Sequence, residues 1–395
     1  MDRTAQERLL ADVEAFCQEV RPSEELCYAE HKFNDQAIPL AKKHGLLGMP
    51  IPTQYGGRGT DVVTYARALA RIGREGTGVR TLFSGHTSIG QLPILNWGNE
   101  EQKRRYLPRT AKGELICAFG LTEPEAGSNP LELQMTYERR GDRFLLNGVK
   151  YLISNGGIAD LIVTFAYPKD GASGTGARRM SAFIVETHGE GIFKEDLHAK
   201  IGMPTANTAM FELRDYAVPA DNLLGDEGNG FRIAMHTLVG GRLSVAAGCL
   251  GVIEDCLVEA CEYAKQRSQH GKPIAKHQLV QQHIARIEID RVTTEAIVMK
   301  AAEAKAASNT DPANPDLKSQ ADLLTAQAKY YAANAAWDAA DRAVQVFGGR
   351  GYSELYRPGR HLCDVRVCRI YEGTDEILQL KIAAAVLGKE YEAFR

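Results

Sequence analysis

A single glutamate, Glu372, stands between an aromatic and a glycine in RIYEGTDEI, residues 369 to 377, just ahead of a stretch patterned as a final helix. Taken alone it reads as a solvated first-turn acid, which suits the positive end of a helix dipole. Three further stretches carry residue types that do chemistry. AFGLTEPEAGSNP, residues 118 to 130, leaves a run of accessible backbone N–H groups beside a strand. Such a run can hold a polar ring edge or phosphates, or it can be a mere turn. QRSQHGKPIAKHQ, residues 266 to 278, gathers Arg267, His270, Lys272, His277 and Gln278 around a helix break. It reads as a polar surface, although an arginine beside glycine can also bind pyrophosphate. GGRGY, residues 348 to 352, invites a dinucleotide-fold reading that fails, because the segment before it, QAKYYAANAAWDAADRAVQVF, is an Ala-rich helix and not a strand. A helix end closely approached by another group fits better.

Other chemistries find little support. The ten histidines show no H-E-x-x-H spacing or ligand-like clustering, and no G-x-S-x-G elbow occurs. The net charge of -3, with basic residues scattered among acidic ones, offers no field for nucleic acid or an anionic membrane. Eight cysteines contain no C-x-x-C pair and sit in helix- or strand-like interiors, so they are expected to be reduced thiols of a cytoplasmic protein. The start lacks the apolar core of a signal peptide, and no apolar run approaches the roughly 20 residues that cross a membrane.

With 395 residues, 44% of them apolar, the chain can build two or three packed domains. Thr4 and Glu7 are spaced as a capping box, and Leu9, Val13, Phe16, Cys17 and Val20 form one helical face that Pro22 is expected to end. Helical periods continue to about residue 115. Short strands then follow in RFLLNGVKYLIS, DLIVTFAY, MSAFIVE and NTAMFEL, with Asn147-Gly148 as a turn signal inside the first. PKDGASGTGARR reads as a flexible loop between strands, and DYAVPADNLLGDEGNG closes the strand-rich section. From Asn229 onward Ala, Leu, Gln and Lys recur at helical spacing. The expected fold is α+β: an N-terminal helical domain over 1–115, a central β domain over 116–226 and a C-terminal helical domain over 227–395.

Taken in order, GLTEPEAGSNP, NGVKYLISNGG, RSQHGKPIAKHQ, QVFGGRGY and RIYEGTDEI resemble the signatures of the acyl-CoA dehydrogenase family, and the resemblance covers nearly the whole chain. It implies a central β-barrel or sandwich domain, a C-terminal four-helix bundle, one FAD per subunit and a homotetramer. The implied reaction is α,β-dehydrogenation of an acyl-CoA thioester. Glu372 removes the α-proton, flavin N5 takes the β-hydrogen as hydride, and an electron-transfer flavoprotein receives the electrons. The same resemblance puts Phe119, Leu121, Thr122 and Ser128, with Leu152, Ile153 and Ser154, around the flavin ring, and Thr374 and Glu376 among the FAD contacts. Arg267, Gln269, Gln278, Gln345, Gly348 and Gly349 would reach the FAD of a neighbouring subunit. Ser128, Arg242 and Tyr371 would meet the acyl-CoA. Branches of the family that carry the base elsewhere place it where this chain has Gly241, which leaves Glu372.

Three positions depart from the family pattern: Leu152 where an aromatic is usual, Asn129 where aspartate is usual and His270 where phenylalanine is usual. Arg80 stands about where glutaryl-CoA dehydrogenases carry an arginine for the distal carboxylate. A guanidinium there would favour a dicarboxylic monothioester such as glutaryl-CoA or a substituted succinyl-CoA. The competing reading puts Arg80 on an exposed face, paired with an acid such as Glu75. An acyl-CoA oxidase, a flavin monooxygenase and a non-catalytic acyl-CoA-binding protein on the same fold remain alternatives.

Overall fold

A computed structural model describes residues 2–169, 180–391 and 393; most of the segment PKDGASGTGARR lies outside the described residues. The chain begins with helices α1 (Arg3–Ala29), α2 (Ala37–Lys43), α3 (Val62–Gly73) and α4 (Thr77–Phe83). A π-helical stretch, Ser84–Gln91, follows, and then α5 (Leu92–Trp97) and α6 (Glu100–Ala111). Two local expectations are corrected in α1. Asp2, not Thr4, caps it by accepting from the Ala5 N–H at 2.8 Å. The helix also runs straight through Pro22. An interior proline costs a helix about 3 kcal/mol, which the tertiary contacts beyond it offset. Glu24 accepts from Thr205 and Asn34, and the Tyr28 hydroxyl donates to Asp364 at 3.0 Å, all in buried surroundings.

Eight strands make one mixed sheet: β1 (Cys117–Gly120), β2 (Thr136–Arg140), β3 (Arg143–Ser154), β4 (Leu161–Pro168), β5 (Ser181–Glu186), β6 (Ile192–Asp196), β7 (Thr208–Pro219) and β8 (Leu223–Leu224). The order is β6-β7-β3-β2-β4-β5-β8, open at both ends, with β1 paired in parallel to β4. Asn147-Gly148 is not a turn. β3 passes through it with a register shift, because the Asn147 side chain bonds Asp215 and Gly148 closes on Met135, where a Cβ would lie 2.8 Å from its backbone. The reversal comes instead at residues 141 and 142, between β2 and β3. β7 likewise continues through the DYAVP stretch.

The sheet also explains why residues 121–135 project from it. β1 and β2 both lie parallel to β4, Gly120 opposite Thr164 and Thr136 opposite Tyr167, so the long segment between them is extruded from a short interval of β4. Its two ends are tied together by Glu123, whose buried carboxylate accepts from the backbone N–H groups of Gln134 and Met135. The ammonium of Lys150, fully buried on β3, reaches Glu123 at 2.8 Å and the Leu121 carbonyl at 3.1 Å.

The remainder is helical: α7 (Gly230–Gln266), a short hairpin of β9 (Ser268–Gln269) and β10 (Lys272–Pro273), α8 (Gln278–Thr310), α9 (Pro315–Phe347), α10 (Arg357–Val365) and α11 (Asp375–Leu387). α7 also packs on α3, so one apolar core runs from the N-terminal helices into the C-terminal ones. Among the described residues no helix is long and apolar enough to cross a membrane.

Breaking a buried ion pair on one side leaves an uncompensated charge, at a cost of about 3–5 kcal/mol. Lys150→Met should therefore lower Tm and free the loop, while the double variant Lys150→Met/Glu123→Gln recovers part of the loss. Thermal unfolding of both variants checks this, and equal Tm values for the two would count against the pair as the loop's anchor.

Candidate active site

The backbone of the base candidate is strained before its side chain is considered. Glu372 has φ +58°, the left-handed region that non-glycine residues avoid, and Gly373 follows at φ +98°. Such geometry costs on the order of 1–3 kcal/mol and persists only where neighbours over-determine it. Here two cations hold the two carbonyls. Arg242 Nε on α7 donates to the Glu372 carbonyl at 3.1 Å, and Lys329 Nζ on α9 donates to that of Gly373 at 2.7 Å. Thr374 then caps α11 by accepting from the Ile377 N–H at 3.3 Å.

This turn aims the Glu372 carboxylate at α7, where Gly241 makes room for it. A Cβ on Gly241 would lie 2.4 Å from Oε2 and 2.5 Å from Oε1. Oε2 is sequestered from solvent and has no hydrogen-bond partner among the described residues. Burial pushes the carboxyl up to about 7, against the opposing pull of Arg242, Lys329 and Arg80. A carboxyl of that proton affinity is poised to take a proton near neutral pH.

The cleft beside it has a volume of about 460 Å³. Leu121, Thr122, Ser128, Leu152 and Ser154 line its sheet side, and Tyr371, Glu372, Gly373 and Thr374 its helical side. The Tyr151 N–H donates to the Thr122 carbonyl at 2.9 Å, which locks the extruded loop to β3. Leu152 sits where the β3 register shifts, with φ +59°, and is 56% exposed, so the bulge turns an apolar side chain outward into the cleft. Phe119 and Ile153 do not line it; their side chains belong to the apolar cores, Phe119 with its ring 5.0 Å from that of Phe165. Glu376 is exposed on the first turn of α11, outside the cleft.

Arg80 overturns its exposed-face reading. It is 2% exposed, and Glu75 is taken by Arg21 at 2.6 Å and Arg71 at 2.5 Å. Arg80 lies behind the cleft wall, donating to Ser84 Oγ at 2.8 Å and to the hydroxyl of Tyr371. It forms no ion pair among the described residues. Gly248, two turns of α7 beyond Gly241, clears space for it: a Cβ there would meet Arg80 Nε at 2.7 Å.

A second group lies apart from this cleft. Arg267, Gln269 and Gln278 flank the break between α7 and α8, and Gln345, Gly348 and Gly349 end α9. The two ends are joined by the stacked rings of Tyr263 and Phe347, 4.1 Å apart. All six residues are exposed, and a Cβ on Gly348 or Gly349 would meet nothing within 4 Å. Packing within the chain therefore gives no reason for glycine at 349. Sequence reasoning missed Lys150, Glu123, Lys329 and Gly248. The available signal was a lysine inside an otherwise apolar strand and another inside an Ala-rich helix.

Three family models tile the chain: acyl-CoA dehydrogenase N-terminal domain over residues 3–114, middle domain over 118–216 and C-terminal domain over 228–387. The chain belongs to the acyl-CoA dehydrogenase family, a family of oxidoreductases. It is 41% identical to an acyl-CoA dehydrogenase of Bacillus subtilis over 370 residues, 94% of each chain. The fold matches butyryl-CoA dehydrogenase from Megasphaera elsdenii with a TM-score of 0.91 and 34% identity, covering 98% of this chain and 100% of that one. A glutaryl-CoA dehydrogenase from Mycobacterium smegmatis in complex with FADH2 matches with a TM-score of 0.89 and 28% identity, covering 100% and 97%.

Because the folded Glu372 carboxyl keeps its proton from its ordinary value of 4.5 up to about 7, the folded state binds more protons than the unfolded state across that window. Stability therefore falls as pH rises through it. Glu372→Gln removes this loss, so the variant should nearly match the parent in stability at pH 5 and exceed it at pH 8 by on the order of 2 kcal/mol, read as a higher Tm at pH 8. A difference that is the same at both pH values would mean that the carboxyl is not perturbed by burial.

Proposed function

We propose that this protein catalyses FAD-dependent α,β-dehydrogenation of an acyl-CoA thioester, with Glu372 as the base that takes the α-proton. The observation that carries this reading is the half-buried Glu372 carboxylate, whose Oε2 is sequestered against Gly241 with no hydrogen-bond partner among the described residues, facing a cleft whose opposite wall is the extruded loop and the β3 bulge. Bound FAD supplies the acceptor for the hydride that leaves the β-carbon. The chain's own residues fit such a ring: Leu121, Leu152 and backbone groups of the loop offer an apolar face with donors at its edge, and Thr122, Ser128, Ser154 and Thr374 offer hydroxyls. Arg267, Gln269, Gln278, Gln345, Gly348 and Gly349 are read as contacts to the FAD of a neighbouring subunit in a homotetramer. Their exposure and the open space at both glycines support that reading. Electrons then pass to an electron-transfer flavoprotein.

For the acyl group, the structure of Arg80 favours a dicarboxylic monothioester. A buried guanidinium without a carboxylate partner is costly, and this one reaches the cleft only through the Tyr371 hydroxyl. Ser84 adds a buried hydroxyl beside Arg80 at 2.8 Å, behind the cleft wall. A distal carboxylate at that end of the ligand would supply the missing counter-charge, sharing or displacing the Tyr371 hydroxyl. A carbonyl held at the other end, near the Glu372–Gly373 backbone, leaves the α-carbon between the carboxylate and the ring.

Two outcomes are expected from anaerobic mixing of the purified flavoprotein with acyl-CoA. Glu372→Gln should keep its flavin and its ligand affinity while flavin bleaching slows by about 10²–10⁴-fold; bleaching near the parent rate would remove Glu372 as the base. Arg80→Met should lose at least about tenfold more rate with glutaryl-CoA than with butyryl-CoA, since a charged hydrogen-bonded contact is worth about 1.5–3 kcal/mol. Equal losses on both thioesters would sink the carboxylate contact while leaving the dehydrogenation reading intact.

A further inference from the structure

Lys329 is a buried lysine with an unusual assignment. It is 0% exposed on α9, makes no ion pair among the described residues, and spends its ammonium on the carbonyl of Gly373 at 2.7 Å. Burying an ammonium against one neutral acceptor is unfavourable, and burial indeed depresses its proton affinity. The carboxylates nearest in its field are Asp375 and Glu372. Asp375 is already engaged by Arg369 at 2.7 Å and by Asn334 at 3.1 Å.

The other cations that face Glu372 are committed elsewhere. Arg242 on α7 is paired with Asp322 at 3.1 Å while it holds the Glu372 carbonyl. Arg80 on α4 is bonded to Ser84 and Tyr371, and a dicarboxylic ligand would take up its charge. The thiols of Cys249 and Cys368 and the Tyr371 hydroxyl also lie around the turn, and Lys200, Cys363, Asp364 and Arg366 line the same cleft.

We propose that Lys329 is a positioning residue for the dehydrogenation: its hydrogen bond to the Gly373 carbonyl holds the left-handed Glu372–Gly373 turn in register with the cleft, and its charge favours the ionised form of the Glu372 carboxylate. This inference rests on Glu372 being the base. It gives the strain at Glu372 a counterpart, because without the ammonium the Arg242 side chain is left as the one side-chain donor to the carbonyls of residues 372 and 373 among the described residues.

The test uses the full-length, flavin-loaded protein and the variants Lys329→Met and Lys329→Arg. Flavin bleaching by acyl-CoA is followed from pH 5.5 to 9. Lys329→Met is expected to move the midpoint of the rate profile upward by about one pH unit and to slow bleaching at pH 7 about tenfold, with Lys329→Arg restoring the midpoint. A second readout needs no turnover: the Tm difference between each protein and its Glu372→Gln derivative grows as pH rises and levels off at the folded-state midpoint, so in the Lys329→Met background it should level off at a pH higher by the same amount and at a larger value. If Lys329→Met does not accumulate as folded protein, Lys329→Gln carries the same test, since it keeps a donor and removes the charge. A variant that loses Tm or flavin content but keeps both midpoints overturns the proposal and leaves Lys329 a packing residue. Bleaching at the parent rate by Glu372→Gln would instead overturn the base assignment, whatever Lys329 does.

Discussion

Everything near the cleft follows from keeping one carboxylate away from water without neutralising it outright. Desolvation raises the proton affinity of Glu372, while three cations on three different helices, Arg80 on α4, Arg242 on α7 and Lys329 on α9, pull it back. None of them forms an ion pair with it among the described residues. The balance keeps the carboxyl near neutral pH, between an exposed acid too weak to act as a base and a fully paired one held permanently ionised. The same cations hold the backbone, since Arg242 and Lys329 act through the carbonyls of residues 372 and 373.

That balance requires all three sequence regions. The N-terminal helices bring Arg80, with the Ser84 hydroxyl that it bonds. The sheet brings a loop that β1 and β2 force outward from the same side of β4, stiffened by the Glu123–Lys150 pair. The C-terminal helices bring Glu372, its turn, Arg242 and Lys329. The cleft lies between the sheet and the C-terminal helices, lined by residues as far apart as Leu121 and Thr374, and the N-terminal region reaches it from behind through Arg80 and Tyr371.

How much of this was legible beforehand depended on the range of the interaction. The helix, sheet, helix order rests on local periodicity and was readable. Glu372 by itself read as a solvated first-turn acid, and it was the resemblance of several motifs to a known family that singled it out, with Gly241 at the alternative position. Local rules failed where distant contacts outweighed them. Pro22 does not end α1, since Glu24 is bonded to Thr205 in the turn between β6 and β7 and Tyr28 to Asp364 of α10. Asn147-Gly148 makes no turn, since Asp215 and Met135 hold it in a bulged strand. The burial of Arg80 and the role of Lys329 were not readable, because an arginine or lysine at helical spacing looks the same whether its tip meets water or a carbonyl brought from 44 residues away.

The glycines of α7 bear on how the molecule assembles itself. Gly241 clears the carboxylate, Gly248 clears the guanidinium, and Gly251 lets the helix close on Ala70 and Arg74 of the N-terminal region. With Gly230 and Gly240, they put five glycines into a helix of 37 residues. Each interior glycine costs a helix about 1 kcal/mol relative to alanine, so the notched segment is a poor helix by itself and draws its order from what fills the notches. The central stretch of α7 thus draws its regularity in part from α3 and α4 packed against it. The seam between the N-terminal and C-terminal regions is part of what orders this helix, and the clearance of Glu372 and the burial of Arg80 both depend on the same notched face.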